Sequence, residues 1–347
     1  MKNFAIFTIF FVFTLLFFEI YLRFTEIILP SYVYDNKELG RTHKPSAQVN
    51  LIEAEGFYMG EINYLGYTGP AYPKEKNKDA IRIALIGDSY IEGFQLFERH
   101  HFRGYLESGL SKSLNKKIEV LNFGIGGVDL RGMYLIYLKK VMDYNPDIVL
   151  FFVKKDDLVN KDVLPTPEAY LDKGEINFNS DFLNNQDAKL RQKFAFVRDY
   201  SIGNLFKEVF EVYHTGLLFN KILDKLSFNT PLNESKKPVD YNENKDMFFQ
   251  LNKEILKELN SKDNKMYHPI IVKVNDFPLY YEELLDSFNI IQFPLKQELG
   301  KYSLQDLTYW KASKKLGHWN HYAHKIVGKY LKEEIIMFIN KRYSDNY

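Results

Sequence analysis

Hydrophobic positions fall into three regimes along the chain. Positions 4–18 carry no charge and are almost all bulky and apolar, and the run continues to Leu22 past Glu19. A terminal helix that is apolar all round belongs in lipid rather than in a soluble core, and about 20 helical residues cross the ~30 Å hydrocarbon layer. A cleaved leader would end in small residues, whereas this run is followed by the bulky segment EIYLRFTEIILP. The expectation is an uncleaved membrane anchor over residues 1–30. Lys2 precedes the run, and Arg23 follows it with Glu19 and Glu26 nearby. The positive-inside rule then gives a slight preference for a cytoplasmic amino terminus and an extracytoplasmic remainder.

Residues 31–78 place Gly, Pro, Asn and Tyr at turn-like spacings and read as a stem packed on the main domain. From residue 79 the pattern alternates. Short apolar runs ending in turn residues predict buried parallel strands at 81–87, 117–124, 147–154, 269–276 and 289–294. Helical spacing predicts helices at 101–114, 130–144, 279–288 and 322–342. Strand and helix in alternation imply a parallel sheet covered on both faces, in one α/β domain over 79–347. A polar stretch at 157–265, helix-prone at 199–226 and 247–259 and loop-rich at 229–244, interrupts the rhythm. It reads as an insertion after the third strand, where insertions tend to cover active sites.

Composition narrows the chemistry. The 347 residues contain 46 Lys and Arg against 45 Asp and Glu, a balance that argues against a nucleic-acid binder. No cysteine is present, so disulfides, thiolate metal sites and cysteine nucleophiles are excluded. The 29 Phe and 25 Tyr read mostly as compositional bias, with sugar-stacking rings among them conceivable.

Three segments carry candidate chemistry. Gly87-Asp88-Ser89 closes the first strand. A serine on a strand-to-helix turn exposes its hydroxyl at the sheet's carboxyl edge beside free backbone N–H groups, although a capping serine is the plainer reading. The G-x-S-x-G elbow of α/β-hydrolases is absent. Gly124, Gly126 and Gly127 close the second strand, where glycine lets backbone N–H groups approach a ligand; the segment lacks the G-x-G-x-x-G of dinucleotide sites. GHWNHYAH at 317–324 holds His318, His321 and His324. His318 precedes the last helix on a loop and is the candidate base for a serine nucleophile; His324, within the helix, reads as structural. No carboxylate or cysteine beside them completes a ligand set, and no metal is expected.

Together these blocks resemble the SGNH/GDSL hydrolase superfamily, in its membrane-anchored bacterial form. Gly87–Ser89 resembles the first block, Asn122–Gly127 the second, and His318-Trp319-Asn320 with Ala323-His324 the last. The likeness covers about 39–154 and 269–341. It implies a flavodoxin-like three-layer α/β/α fold and ester hydrolysis or acyl transfer, with no cofactor. It implies Ser89 as nucleophile, the Ser89 and Gly127 N–H groups in the oxyanion hole, and His318 as base and then acid.

Two positions depart from the pattern. The third block puts Lys155 where the family has an oxyanion-hole asparagine, and losing one such donor costs roughly 2.7–4 kcal/mol. The aspartate that orients the histidine is replaced by Leu316 and Lys315; loss of that group can cost about 10⁴-fold in kcat. Asp306 is the nearest upstream candidate. Two readings follow. One is a serine esterase or acyltransferase acting on small acyl esters, acetyl among them, of an envelope or exported glycan. The other is a catalytically degenerate binding or scaffold protein of the envelope, with the insertion holding a partner protein. A Ser89–His318 hydrogen bond backed by a carboxylate or carbonyl would mark the enzyme. Lys155 lying across Ser89 in a salt bridge to Asp88 or Asp156 would mark the scaffold.

Overall fold

A computed structural model of the chain describes residues 2–53, 55–159, 166–184, 186–214, 245–261, 268–311 and 313–344. The chain divides into two compact units: Met1–Tyr32 with Lys189–Glu243, and Val33–Ala188 with Asn244–Tyr347. The expected loop at 229–244 and the helix beyond 214 lie outside the described residues.

The first unit is built on one apolar helix, Lys2–Thr25, long and apolar enough to span a membrane. Only Leu22 is fully buried along it. The helices Ala195–Arg198 and Ser201–His214 belong to the same unit.

The second unit opens with two antiparallel hairpins, β1 (Val33–Asn36) with β2 (Gly40–His43), and β3 (Gln48–Glu53) with β4 (Gly56–Glu61). The sheet follows, from β5 (Ala80–Gly87), β6 (Lys117–Gly124) and β7 (Ile148–Val153). A third hairpin, β8 (Glu168–Asp172) with β9 (Glu175–Asn179), occupies part of the expected insertion. The sheet is completed by β10 (His268–Lys273) and β11 (Ile291–Phe293), and a short pair, β12 (Tyr309–Trp310) with β13 (Lys315–Leu316), precedes the last helix. The five sheet strands are all parallel in the order β6-β5-β7-β10-β11. Counted along the chain this is 2-1-3-4-5, the flavodoxin-like order, whose direction reverses between the first and third strands.

Because side chains alternate along a strand, both faces of the sheet are apolar. Ala84, Ile86, Phe123 and Phe151 point to one face, under the helices Leu130–Ile136, Lys245–Ser261 and Leu279–Ser287. Ile83, Leu85, Phe152 and Val272 point to the other, under Phe102–Leu114 and His321–Ser344. The helix expected over 130–144 is α-helical only to Ile136. It widens into a π turn, Tyr137–Val141, and tightens at Met142–Tyr144 before Asn145 takes a left-handed φ of 46°.

That unwound end delivers the Tyr144 carbonyl to Arg82, whose Nη1 donates to it at 2.6 Å. Arg82 is fully buried in β5. Its Nε and Nη2 donate to Glu119 Oε2 of β6 at 2.9 and 2.7 Å, and its Nη1 also reaches the Lys74 carbonyl at 3.0 Å. A buried ion pair of this kind is costly to break on one side only. Arg82→Met is expected to destabilise the unit by about 3–5 kcal/mol, leaving the buried Glu119 with Lys117 as its remaining ion-pair partner, at 3.0 Å. Arg82→Met with Glu119→Met should recover most of that loss, measured by denaturant unfolding followed through Trp310 and Trp319 fluorescence.

Candidate active site

β5 ends at Gly87, and Asp88 and Ser89 make the turn into the short helix Ser89–Glu92. Asp88, rather than the serine, caps this helix: its Oδ1 accepts from the Tyr90 N–H at 3.0 Å. Ser89 Oγ is thereby left free for His318 Nε2, 2.8 Å away. His318 sits on the loop between β13 and the final helix. Asn320 Oδ1 caps that helix, accepting from Tyr322 and Ala323 N–H at 2.9 and 3.1 Å. Trp310 Nε1 donates to the His318 carbonyl at 2.9 Å and fixes the loop from below.

Behind the imidazole stands Glu55, immediately before Gly56 at the tip of the β3–β4 hairpin. Its Oε2 accepts from His318 Nδ1 at 2.5 Å and from the His318 backbone N–H at 2.8 Å. A carboxylate can only accept, so Nδ1 carries the proton and the neutral ring presents Nε2 as an acceptor. The serine hydroxyl therefore donates to Nε2, the arrangement of a nucleophile with its base and an orienting acid. Two glycines make room for Glu55. A methyl group at Gly317 would fall on the Glu55 carboxylate, and one at Gly56 would meet the Gln95 carbonyl and, at 2.9 Å, the Trp310 ring. The Tyr90 ring packs on His318 at 4.9 Å and on Trp319 at 4.7 Å.

Gly127 takes a φ of +82°, which an L side chain would resist. The glycine turn is held by the stem. Glu92 Oε1 accepts from Gly126 N–H at 2.9 Å and lies 2.8 Å from His43 Nε2, and the Thr68 hydroxyl donates to the Glu92 carbonyl at 2.7 Å. Among the described residues, the Ser89 and Gly127 N–H groups have no hydrogen-bond partner, so both remain available as donors.

Two sequence expectations need correction. Asp306 does not reach His318; its carboxylate closes a capping box on Ser303, accepting from Ser303 Oγ at 2.7 Å and from its N–H at 3.3 Å. Lys155 does not lie across Ser89. It opens the helix Lys155–Val159, is exposed, and gives its N–H to Asn275 Oδ1 at 2.7 Å. The cation at the serine turn is the preceding residue, Lys154, which ion-pairs with Asp88 and lies 5.2 Å from the Tyr90 ring centroid. β7 ends at Val153, so Lys154 lies on the turn beside Asp88 and Lys155 already begins the following helix. His324 Nδ1 accepts from the Phe102 N–H at 3.2 Å, a structural role.

Beneath Lys154 lies Asp157, buried, with Oδ2 accepting from the Lys154 N–H at 2.8 Å. Burial, and then the neighbouring Asp88, push its carboxyl up to about 8. Burial also works against the Lys154 charge, but Asp88 and then Asp157 outweigh it and hold the ammonium above its ordinary range.

No protein-family model and no curated protein matches the chain. Solved structures do. A protein described as lipolytic and of the G-D-S-L family, from Desulfitobacterium hafniense DCB-2, is 15% identical, with 73% of this chain and 98% of that one covered at a TM-score of 0.37. The lipase/acylhydrolase from Enterococcus faecalis is 13% identical, with 74% and 95% covered at 0.34. The acetyl xylan esterase AlAXEase is 13% identical, with 74% and 100% covered at 0.37. Likeness at this level assigns no residue a role; the chemistry rests on the geometry above.

Two outcomes follow from that geometry. Gly317→Ala is expected to displace Glu55 and lower kcat by about 10-fold or more with little change in KM, a loss of roughly 1.4 kcal/mol of transition-state stabilisation; steady-state kinetics checks this. For Asp157, the folded carboxyl holds its proton more tightly than the unfolded one. The unfolded chain therefore binds fewer protons between about pH 4 and pH 8, and stability falls as pH rises through that window. Asp157→Asn keeps the acceptor and removes the titration. Melting curves at pH 6 and pH 9 should show a smaller drop in Tm for the variant, by several degrees at about 2–4 °C per kcal/mol. Equal drops would place the titrating group elsewhere.

Proposed function

We propose that the chain is a membrane-anchored serine esterase or acyltransferase of the SGNH kind, with Lys2–Thr25 as anchor and the α/β unit on the extracytoplasmic side. The observation that carries the reading is the continuous relay Glu55–His318–Ser89, with bonds of 2.5 and 2.8 Å. A binding module would have no use for a base aligned on a serine hydroxyl and an acid aligned on that base.

Ser89 Oγ attacks the ester carbonyl carbon as its proton passes to His318 Nε2. The carbonyl oxygen takes the negative charge, which the Ser89 and Gly127 N–H groups stabilise. Collapse breaks the ester C–O bond; the leaving alkoxide takes the proton from His318, and the acyl group stays on Ser89. Water or a sugar hydroxyl then gives its proton to His318 and attacks the acyl-enzyme, returning Ser89 with its proton. Glu55 remains ionised throughout and stabilises the imidazolium.

The His318 and Glu55 side chains retain 29% and 24% of their exposure. A relay this open suits a small acyl group, such as acetyl, carried on a large hydrated acceptor that need not enter a closed cavity. An envelope or exported glycan fits that description and lies on the expected side of the membrane.

The full chain in detergent should be labelled by a fluorophosphonate probe. Labelling should vanish in Ser89→Ala and His318→Ala and slow by about 10²–10⁴ in Glu55→Gln, which leaves the ring without its charged acceptor. Folded protein that labels no better than Ser89→Ala would instead support a non-catalytic binding role.

A further inference from the structure

The first unit holds an arrangement that the reaction does not use. Glu19 lies within the apolar helix Lys2–Thr25, where a bare carboxylate would be costly. It is satisfied from two directions. Arg23 Nε donates to its Oε1 at 2.5 Å, and the first N–H groups of the helix Ser201–His214 donate as well, Ser201 to Oε1 at 3.1 Å and Ile202 to Oε2 at 2.9 Å. Glu19 therefore caps a second helix from within the first. Arg23 Nη2 adds a bond to the Asp199 carbonyl at 2.9 Å, and Asn204 Nδ2 one to the Leu29 carbonyl at 2.8 Å. At 1.5 Å per residue, Glu19 is about 9 Å from the end of its helix at Thr25. The start of Ser201–His214 is thus fixed at the depth where the first helix leaves the hydrocarbon.

The second helix is built for that depth. Its sequence, SIGNLFKEVFEVYH, puts Ile202, Leu205, Phe206 and Val209 on one face at helical spacing, and Asn204 and Lys207 on the other. The apolar face is uncovered at Phe206 and Val209, which keep 64% and 57% of their exposure. Phe196 and Tyr200, just before it, are also exposed. Large apolar and aromatic side chains on one face and charges on the other mark a helix lying in the plane of a lipid interface.

We infer that Ser201–His214 is a second membrane contact, an interfacial helix whose Phe206–Val209 face lies at the headgroup–acyl boundary of the bilayer that Lys2–Thr25 spans. The occupant is lipid, since the hydrogen bonds to Glu19 and Arg23 hold the first turn of this helix beside the end of the anchor. The inference rests on reading Lys2–Thr25 as an anchor and is independent of the Ser89 chemistry.

The absence of cysteine makes the test direct. Single cysteines in place of Phe206, Val209, Lys207 and Phe10 are labelled with an environment-sensitive nitrobenzoxadiazole dye. Each full-length variant is placed in vesicles of phosphatidylcholine and phosphatidylglycerol. Phe206→Cys and Val209→Cys should be quenched by nitroxide on the lipid acyl chains roughly threefold more than Lys207→Cys, and less by aqueous iodide. Phe10→Cys reports the anchor by itself. If Phe10→Cys is lipid-quenched while positions 206 and 209 are open to iodide, or are shielded from both quenchers as beneath protein, the interfacial helix is refuted and the anchor stands. If Phe10→Cys also escapes the nitroxide, the anchor reading fails and the inference falls with it.

Discussion

One oxygen atom, Glu55 Oε2, receives two hydrogen bonds from the same residue, His318 Nδ1 and His318 N. The ring bond sets the tautomer and the backbone bond sets where the loop runs, so a single carboxylate fixes both the chemistry of the base and its position. Everything around it makes room for that contact. Gly317 lacks the side chain that would collide with it, and Trp310 fits against Gly56 while holding the His318 carbonyl at 2.9 Å. Asn320 then starts the last helix.

The sheet order supplies the other half of the site. With strands in the order 2-1-3-4-5, the connections from the first and third strands leave in opposite directions and open a crevice between β5 and β7 at their carboxyl ends. Ser89 follows the first of these strands and Lys154 the second. Their meeting through Asp88 is a consequence of topology, and the residue spacing alone does not predict it. The ion pair is a positioning device, because Lys154 acts on the carboxylate that caps the nucleophile's own helix. Asp157 lies below, accepting from the Lys154 N–H, and burial followed by the Asp88 charge pushes its carboxyl up.

Local signals in the sequence carried the sheet strands and the pairing of Ser89 with His318. Each strand is a short apolar run with a turn behind it, and the serine and histidine each sit in a short recognisable segment. Glu55 was not legible. It belongs to a hairpin tip in a stretch that reads only as a stem, and it meets His318 across a separation of 263 residues. The only local mark is an acidic residue directly before a glycine, which is too common to point anywhere. Asp306 looked plausible because it is close in sequence, but a Ser303-x-x-Asp306 capping box accounts for it fully. The cation at the serine turn is Lys154 rather than Lys155 because β7 stops at Val153 and Lys155 already begins the next helix, a boundary that hydrophobicity does not locate to one residue.

The origin of the orienting acid changes what the stem is. A passive stem could be loosened without consequence. Here the β3–β4 hairpin carrying Glu55 is packed on the segment after the serine turn by Tyr58 against Phe94 at 5.0 Å and by Phe57 against Phe97 at 4.9 Å, while His43 of β2 contacts Glu92, which also holds Gly126. Two neighbouring parts of the stem therefore support Glu55 and the glycine turn. Two-stranded hairpins are marginal by themselves and open at lower free-energy cost than a buried sheet. Opening the β3–β4 hairpin would withdraw Glu55 from His318 while β5, β6 and β7 stay paired, so the Glu55–His318–Ser89 relay would be broken well before the fold.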